Sequence, residues 1–210
     1  IGLVRGWHHG RYPAIRMPRA RELLTEVQPL LIDALAKTAD PDEAIHGFDR
    51  FLSELPSGVQ LFSLLKQNPG LLDLVASIMG TAPRLARVLS KRRRLLDAVL
   101  DPGFFGSIAG REAMRTMVAQ DLVVDLDLQS YLDRARVIGH EQAFLIGVRV
   151  LTGTISADHA GGAYALLADQ LVDALARRID LEMQRAHGRV PGGGAAVIAM
   201  GKLGGREMTA

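Results

Sequence analysis

Apolar residues recur at intervals of three and four along nearly all of residues 1–187, and the short alternating stretch Val124-Asp125-Leu126-Asp127-Leu128 flows into a helix. Intervals of three and four are the period of one face of an α-helix, whereas a half-buried strand needs a period of two. The chain is therefore restricted to a mainly α fold, with proline and glycine marking where its helices break. Leu23, Leu24, Val27, Leu30, Leu31, Ala34 and Leu35 form one stripe over residues 19–38. Pro29 is expected to kink or divide that helix, because proline lacks an amide hydrogen. Asp40-Pro41 reads as an N-cap followed by proline in the first turn. The helix it opens carries Ile45, Phe48, Leu52 and Leu55 and stops at Pro56-Ser57-Gly58. Val59, Phe62, Leu64 and Leu65 mark a third helix. Asn68-Pro69 starts a fourth with Leu71, Leu72, Leu74, Val75 and Ile78, expected to close at Gly80.

Two longer helices follow. Residues 128–151 turn Leu128, Tyr131, Leu132, Ala135, Ile138, Leu145 and Val148 inward. Residues 156–187 do the same with Tyr164, Leu167, Leu171, Val172, Leu175 and Ile179, and carry the i,i+4 pair Asp173 and Arg177. Joined near Gly153, the two are expected to lie antiparallel. The short helices before them predict an irregular multi-helix bundle. Leu71-Leu72-Asp73-Leu74-Val75 is echoed at Leu95-Leu96-Asp97-Ala98-Val99, but a single echo is too little for a solenoid.

Of the 210 residues, 48% are hydrophobic and 23% charged, enough for a real core. There is no cysteine, which excludes disulfides and thiolate chemistry. No apolar run has the length of a membrane span. These features predict a cytoplasmic chain with no membrane partner. Net charge is only +2 and aromatics are 5%. The basic cluster at Lys91-Arg92-Arg93-Arg94, beside Arg84 and Arg87, reads as a solvated helix end rather than a nucleic-acid surface. The chain starts at Ile1 and stops on Met208-Thr209-Ala210 just past a glycine loop, so both ends are expected to be cuts in a longer protein.

After His187 the character changes. Residues 188–194 are a glycine-rich hinge, and Ala195-Ala196-Val197-Ile198-Ala199-Met200 reads as the one buried strand. It runs into Gly201-Lys202-Leu203-Gly204-Gly205, where backbone N–H groups can face a phosphate with no side chain in the way. The order of residues fails Walker A, since Lys202 precedes the glycine pair, and the spacing fails the dinucleotide fingerprint. It fits the first half of the polymerase-beta-like nucleotidyltransferase pattern, a paired-glycine loop followed by two metal-binding carboxylates. Asp125 and Asp127 look like those carboxylates, but no glycine pair precedes them and they lead into a helix, where an acidic residue suits the first turn. They are expected to be structural. His8 and His9 are adjacent, which on a helix separates them by about 100°; the other histidines share no ligand spacing. No catalytic residue and no metal ligand is assigned within the chain. Three regions are expected: 1–110 helical, 111–188 the long helices, and 189–210 the start of a nucleotidyltransferase domain.

Several strings carry a resemblance. Trp7-His8-His9-Gly10-Arg11, Phe48-Asp49-Arg50-Phe51-Leu52 and Leu55-Pro56-Ser57-Gly58-Val59-Gln60-Leu61-Phe62 are three of them. Gly80-Thr81-Ala82-Pro83-Arg84-Leu85-Ala86, Leu95-Leu96-Asp97 before Asp101-Pro102, and Met200-Gly201-Lys202-Leu203-Gly204-Gly205-Arg206-Glu207 complete the set. In this order they resemble the bacterial glutamine synthetase adenylyltransferase family.

The resemblance implies a large enzyme with two nucleotidyltransferase domains separated by helices. One domain transfers AMP from ATP to a tyrosine of glutamine synthetase; the other removes it by phosphorolysis, with PII signalling proteins and glutamine biasing the two. It implies that Gly201, Lys202, Gly204 and Gly205 bind the ATP phosphates. Mg2+ would be held by carboxylates that the family carries just after this loop, beyond Glu207. Such a fragment would be inactive alone. Two other readings stand beside it: a helical interaction module without catalysis, and an unrelated nucleotide binder. An Asp-x-Asp on a strand following the loop would separate the first reading from the last.

Overall fold

The computed structural model describes residues 2–9, 11–91, 95, 98, 99, 101, 104, 108–123 and 127–209. The chain divides into two compact units, Ile1–Phe104 and Phe105–Ala210.

The first unit is a packed set of short helices. It runs through α1 (Gly2–Trp7), a 3-10 turn (Pro13–Ile15), α2 (Pro18–Ala36), α3 (Pro41–Glu54), α4 (Val59–Gln67), α5 (Pro69–Thr81) and α6 (Pro83–Lys91). Four of these helices begin on proline, whose fixed φ suits a position where the amide would have no partner. Asp40 caps α3 as expected, its carboxylate accepting from the Glu43 N–H over 2.9 Å. Asn68 acts backwards: its side-chain amide donates to the Leu64 carbonyl at 2.9 Å and so closes α4, while α5 starts on Pro69 without a side-chain cap. Lys66 reaches Glu26 at 2.7 Å and ties α4 to α2.

Leu30 and Gly80 depart from expectation in this unit, and of the two outcomes expected at Pro29, a kink or a division, the division is excluded. Pro29 does not divide α2, which is one helix from Pro18 to Ala36. Pro29 lies on the exposed side with Thr25 and Glu26, where water can take the place of the missing hydrogen bond. Leu30 beside it is 55% exposed, not buried with the rest of its stripe. Gly80 does not close α5, which continues to Thr81.

The core holds Trp7, Leu24, Leu31, Phe48, Leu52 and Phe62, all essentially without solvent contact. The Trp7 and Phe48 rings meet edge to face with centroids 5.4 Å apart. Truncating one such leucine to alanine costs about 2–5 kcal/mol. Helix α3 crosses α5 at Gly47, where a Cβ would stand 2.8 Å from the Met79 carbonyl oxygen.

The second unit comprises α7 (Arg111–Asp121), α8 (Leu128–Leu151), α9 (Ala157–His187) and the one-turn α10 (Gly201–Gly204). Asp127 caps α8 by accepting from the Ser130 N–H at 3.0 Å, and Ser156 caps α9 by accepting from the His159 N–H at 3.3 Å. Gly153, with φ +68, takes the left-handed turn between them. The Tyr131 hydroxyl donates to the Ala174 carbonyl and the Tyr164 hydroxyl to the Ala143 carbonyl, at 3.4 and 3.3 Å. As the α8 number rises the α9 number falls, so the two helices are antiparallel, as expected. The Asp173–Arg177 pair forms, at 2.6 Å.

Helix α7 lies over the pair. Met114 packs with Ile146, Ala160, Ala163, Tyr164 and Leu167, and Val118 with Leu122, Tyr131, Ala135 and Ile138. Ile179 was expected inward and is 46% exposed. Tyr131, in the first turn of α8, already faces Ala174, so the end of α9 runs past the start of α8. No helix among the described residues is long and apolar enough to cross a membrane.

Candidate functional site

The four residues singled out for phosphate stand in a single turn at the end of the second unit. Met200 leads in with extended backbone, φ −128 and ψ 168, and Gly201 turns the chain with φ +57, a conformation that favours glycine. Helix α10 then makes its one turn. The Gly204 N–H donates to the Met200 carbonyl at 3.4 Å and the Gly205 N–H to the Gly201 carbonyl at 2.8 Å. The Arg206 and Glu207 amides follow, donating to Leu203 at 3.2 Å and Lys202 at 2.8 Å. The glycines are not equivalent. A Cβ on Gly204 would stand 2.7 Å from the Ala199 carbonyl oxygen, whereas one on Gly205 meets nothing closer than 3.4 Å. Lys202 is exposed beside them.

The strand expected over residues 195–200 does not form here. These residues carry no strand pairing, and Val197, Ile198 and Met200 are 66%, 81% and 80% exposed. A strand exists only against a neighbour that takes its N–H and C=O groups, and none of the described residues offers one. The segment instead borders an open groove of about 1110 Å3 along α9, lined by Val172, Asp173, Ala176, Arg177 and Met183.

The loop's far side is held from a place the sequence pattern did not reveal. Residues 206–208 lie against Gly161 of α9, and the Met208 side chain packs on the cluster around Met114, Ile146 and Tyr164. The one sequence signal was glycine inside a helical pattern, at Gly161-Gly162.

The carboxylate pair set aside above has a structural use at its described member. Asp127 accepts from both the hydroxyl and the N–H of Ser130, and these bonds hold its carboxyl below the usual carboxylate range. Asp125 lies outside the described residues, as do Arg92, Arg93 and Arg94. His8 faces the Gln28 side chain while His9 faces the Arg5 carbonyl, so the adjacent pair serves two separate contacts.

In the first unit, two of the strings that carry the resemblance meet. The Trp7 indole and the Tyr12 hydroxyl both donate to Asp49, at 2.9 Å each. Burial, then the Asp49 hydrogen bond, push the Tyr12 phenol up.

A family model described as glutamate-ammonia ligase adenylyltransferase matches residues 72–210 and so includes α9 and the whole glycine turn. The chain belongs to the glutamate-ammonia ligase adenylyltransferase family. Relatives that are named bifunctional glutamine synthetase adenylyltransferase/adenylyl-removing enzymes align along essentially all of it. The protein of Brucella suis biovar 1 is 44% identical over 208 residues, 99% of this chain. That of Xanthobacter autotrophicus is 46% identical over 210 residues, and that of Bartonella henselae 40% over 208. The chain spans 21% of the length of each of these adenylyltransferase relatives.

Proposed function

We propose that this chain supplies the helical body and the opening phosphate loop of an enzyme that transfers AMP from ATP to a tyrosine of glutamine synthetase, the same protein removing it by phosphorolysis. The observation that carries the reading is the continuity of the family match through the glycine turn, at the point where Gly201, Lys202, Gly204 and Gly205 are gathered within one helical turn. The names of the relatives supply the substrate protein and the two opposed activities.

Each residue then has a physical part. Gly201 turns the chain, and Gly204 and Gly205 leave the backbone uncovered so that phosphate oxygens approach it closely. Binding at those two amides exchanges their internal acceptors, Met200 and Gly201, for the nucleotide. The exposed Lys202 ammonium offsets triphosphate charge.

Nucleotidyl transfer also takes Mg2+, which shields the triphosphate and activates the attacking tyrosine oxygen. By the resemblance, the carboxylates that would hold Mg2+ stand just after the glycine turn, beyond Glu207. Residues 1–110 and 111–188 form the helical regions that bring the loop of 189–210 to its catalytic partners. The same strings resemble enzymes of the cytoplasm whose activity PII proteins bias.

Incorporation of labelled AMP into glutamine synthetase tests this. A protein of the relatives' full length transfers label with ATP and Mg2+, and the 210-residue chain alone gives background. Transfer by the short chain would place the metal carboxylates within residues 1–210. No transfer by the long one would remove the assignment.

A further inference from the structure

We infer that Gly161 is a positioning residue for the phosphate loop: the missing side chain on α9 lets the backbone of 206–208 lie on the helix, and the buried core of the second unit thereby fixes where Gly201–Gly205 stands. The inference rests on the phosphate reading given above. A Cβ at Gly161 would stand 3.1 Å from the Arg206 carbonyl oxygen, 3.5 Å from the Glu207 Cα and 3.6 Å from the Met208 carbonyl oxygen. Local propensity works against glycine in a helix, so the demand for it comes from across the contact. The neighbouring Gly162 meets nothing within 4 Å and gives an internal comparison on the same turn.

Two further features make the contact a fixed seat. Met208 packs against the cluster of Met114, Ile146, Ala160, Ala163, Tyr164 and Leu167, which draws on three helices. The seat is also tied to the loop by the chain itself. Arg206 adopts φ +59, and the Glu207 amide donates back to Lys202 at 2.8 Å. Loop and seat are thus one hydrogen-bonded unit, and a shift of 206–208 along α9 is a shift of Lys202 and the glycines. Small displacements of a group that holds a reacting triphosphate matter greatly, since a 1 Å error can cost about a hundredfold.

The test compares Gly161→Leu with Gly162→Leu, and adds Met208→Ala, which leaves α9 untouched. In the 210-residue chain, hydrogen exchange of the Glu207 amide is expected to quicken about tenfold or more in Gly161→Leu and Met208→Ala. Gly162→Leu should leave it alone, and amides within α8 and α9 should stay protected in all three. At the relatives' full length, the first two variants raise KM for ATP about tenfold while KM for glutamine synthetase holds. Equal exchange in the two glycine variants would overturn the inference. So would quickened exchange with an unchanged KM for ATP, provided that Gly204→Ala raises that KM. If Gly204→Ala also leaves it unchanged, the phosphate reading itself falls and the positioning role falls with it.

Discussion

The indole N–H of Trp7 donates to Asp49 over 2.9 Å, joining the first helix of the chain to the third. Trp7 has no solvent contact, so its N–H has no water to turn to if Asp49 is lost. An unmet buried donor costs about 1–3 kcal/mol, and the Tyr12 hydroxyl loses its acceptor in the same step. Asp49→Ala is expected to lower the free energy of unfolding of the first unit, read from denaturant titration, by about 1–3 kcal/mol. Asp49→Asn, which keeps one acceptor oxygen, should lose less. Equal losses would mean that the charge, not the hydrogen bonds, matters.

All three tyrosines of the chain are held in their neutral form. Burial raises the phenol pKa of Tyr12, Tyr131 and Tyr164 above the ordinary 10.0, with Asp49 adding to it at Tyr12 and Arg178 working against it at Tyr131. A folded pKa above the unfolded one gives stability that is complete below pH 10.0 and is lost as pH rises through the folded values. Ultraviolet titration of the native chain should therefore show phenol ionisation later than in urea, with unfolding following it. Coincident titration curves would contradict the burial described here.

At Asp127 the sign is reversed. Its carboxyl is held below the usual 3.8 by Ser130, so its contribution is present above that pH and disappears as pH falls through the lowered value. Asn is an equally good cap, and Asp127→Asn should leave AMP transfer by the full-length protein within several-fold of the parent. A loss of three orders of magnitude with the fold intact would make Asp127 a metal ligand after all.

Within the glycine pair the structure separates two residues of identical type. Gly204→Ala drives a methyl to within 2.7 Å of the Ala199 carbonyl, whereas at Gly205 the nearest atom is 3.4 Å away. Gly204→Ala is expected to raise KM for ATP about tenfold, equivalent to ~1.4 kcal/mol, and Gly205→Ala much less. The reverse order would show that the loop takes a different shape around nucleotide.

Much of the helical fold was legible because its signals are local. Asp40, Asp127 and Ser156 sit where caps belong, and the Asp173–Arg177 pair needs only a helix to form. What escaped depends on partners distant in sequence. Leu30 and Ile179 continue apolar stripes in sequence yet face solvent, because no described residue packs over them. Ala195–Met200 has the composition of a buried strand, but a strand is a property of two chains side by side. The loop residues were found by their glycines and Lys202. Gly161 was not, since its reason lies in the backbone of residues 206–208.

The short connection between α8 and α9 bears on how the chain is born. Contacts such as Tyr164 to Ala143 are close in sequence, and helices that pair this way form within microseconds to milliseconds. A ribosome adding about 5–20 residues per second takes roughly one to four seconds to move from His187 to the end of the glycine turn. The helical platform is therefore complete before Met208 emerges from the ribosome. The nascent loop meets a finished surface on arrival.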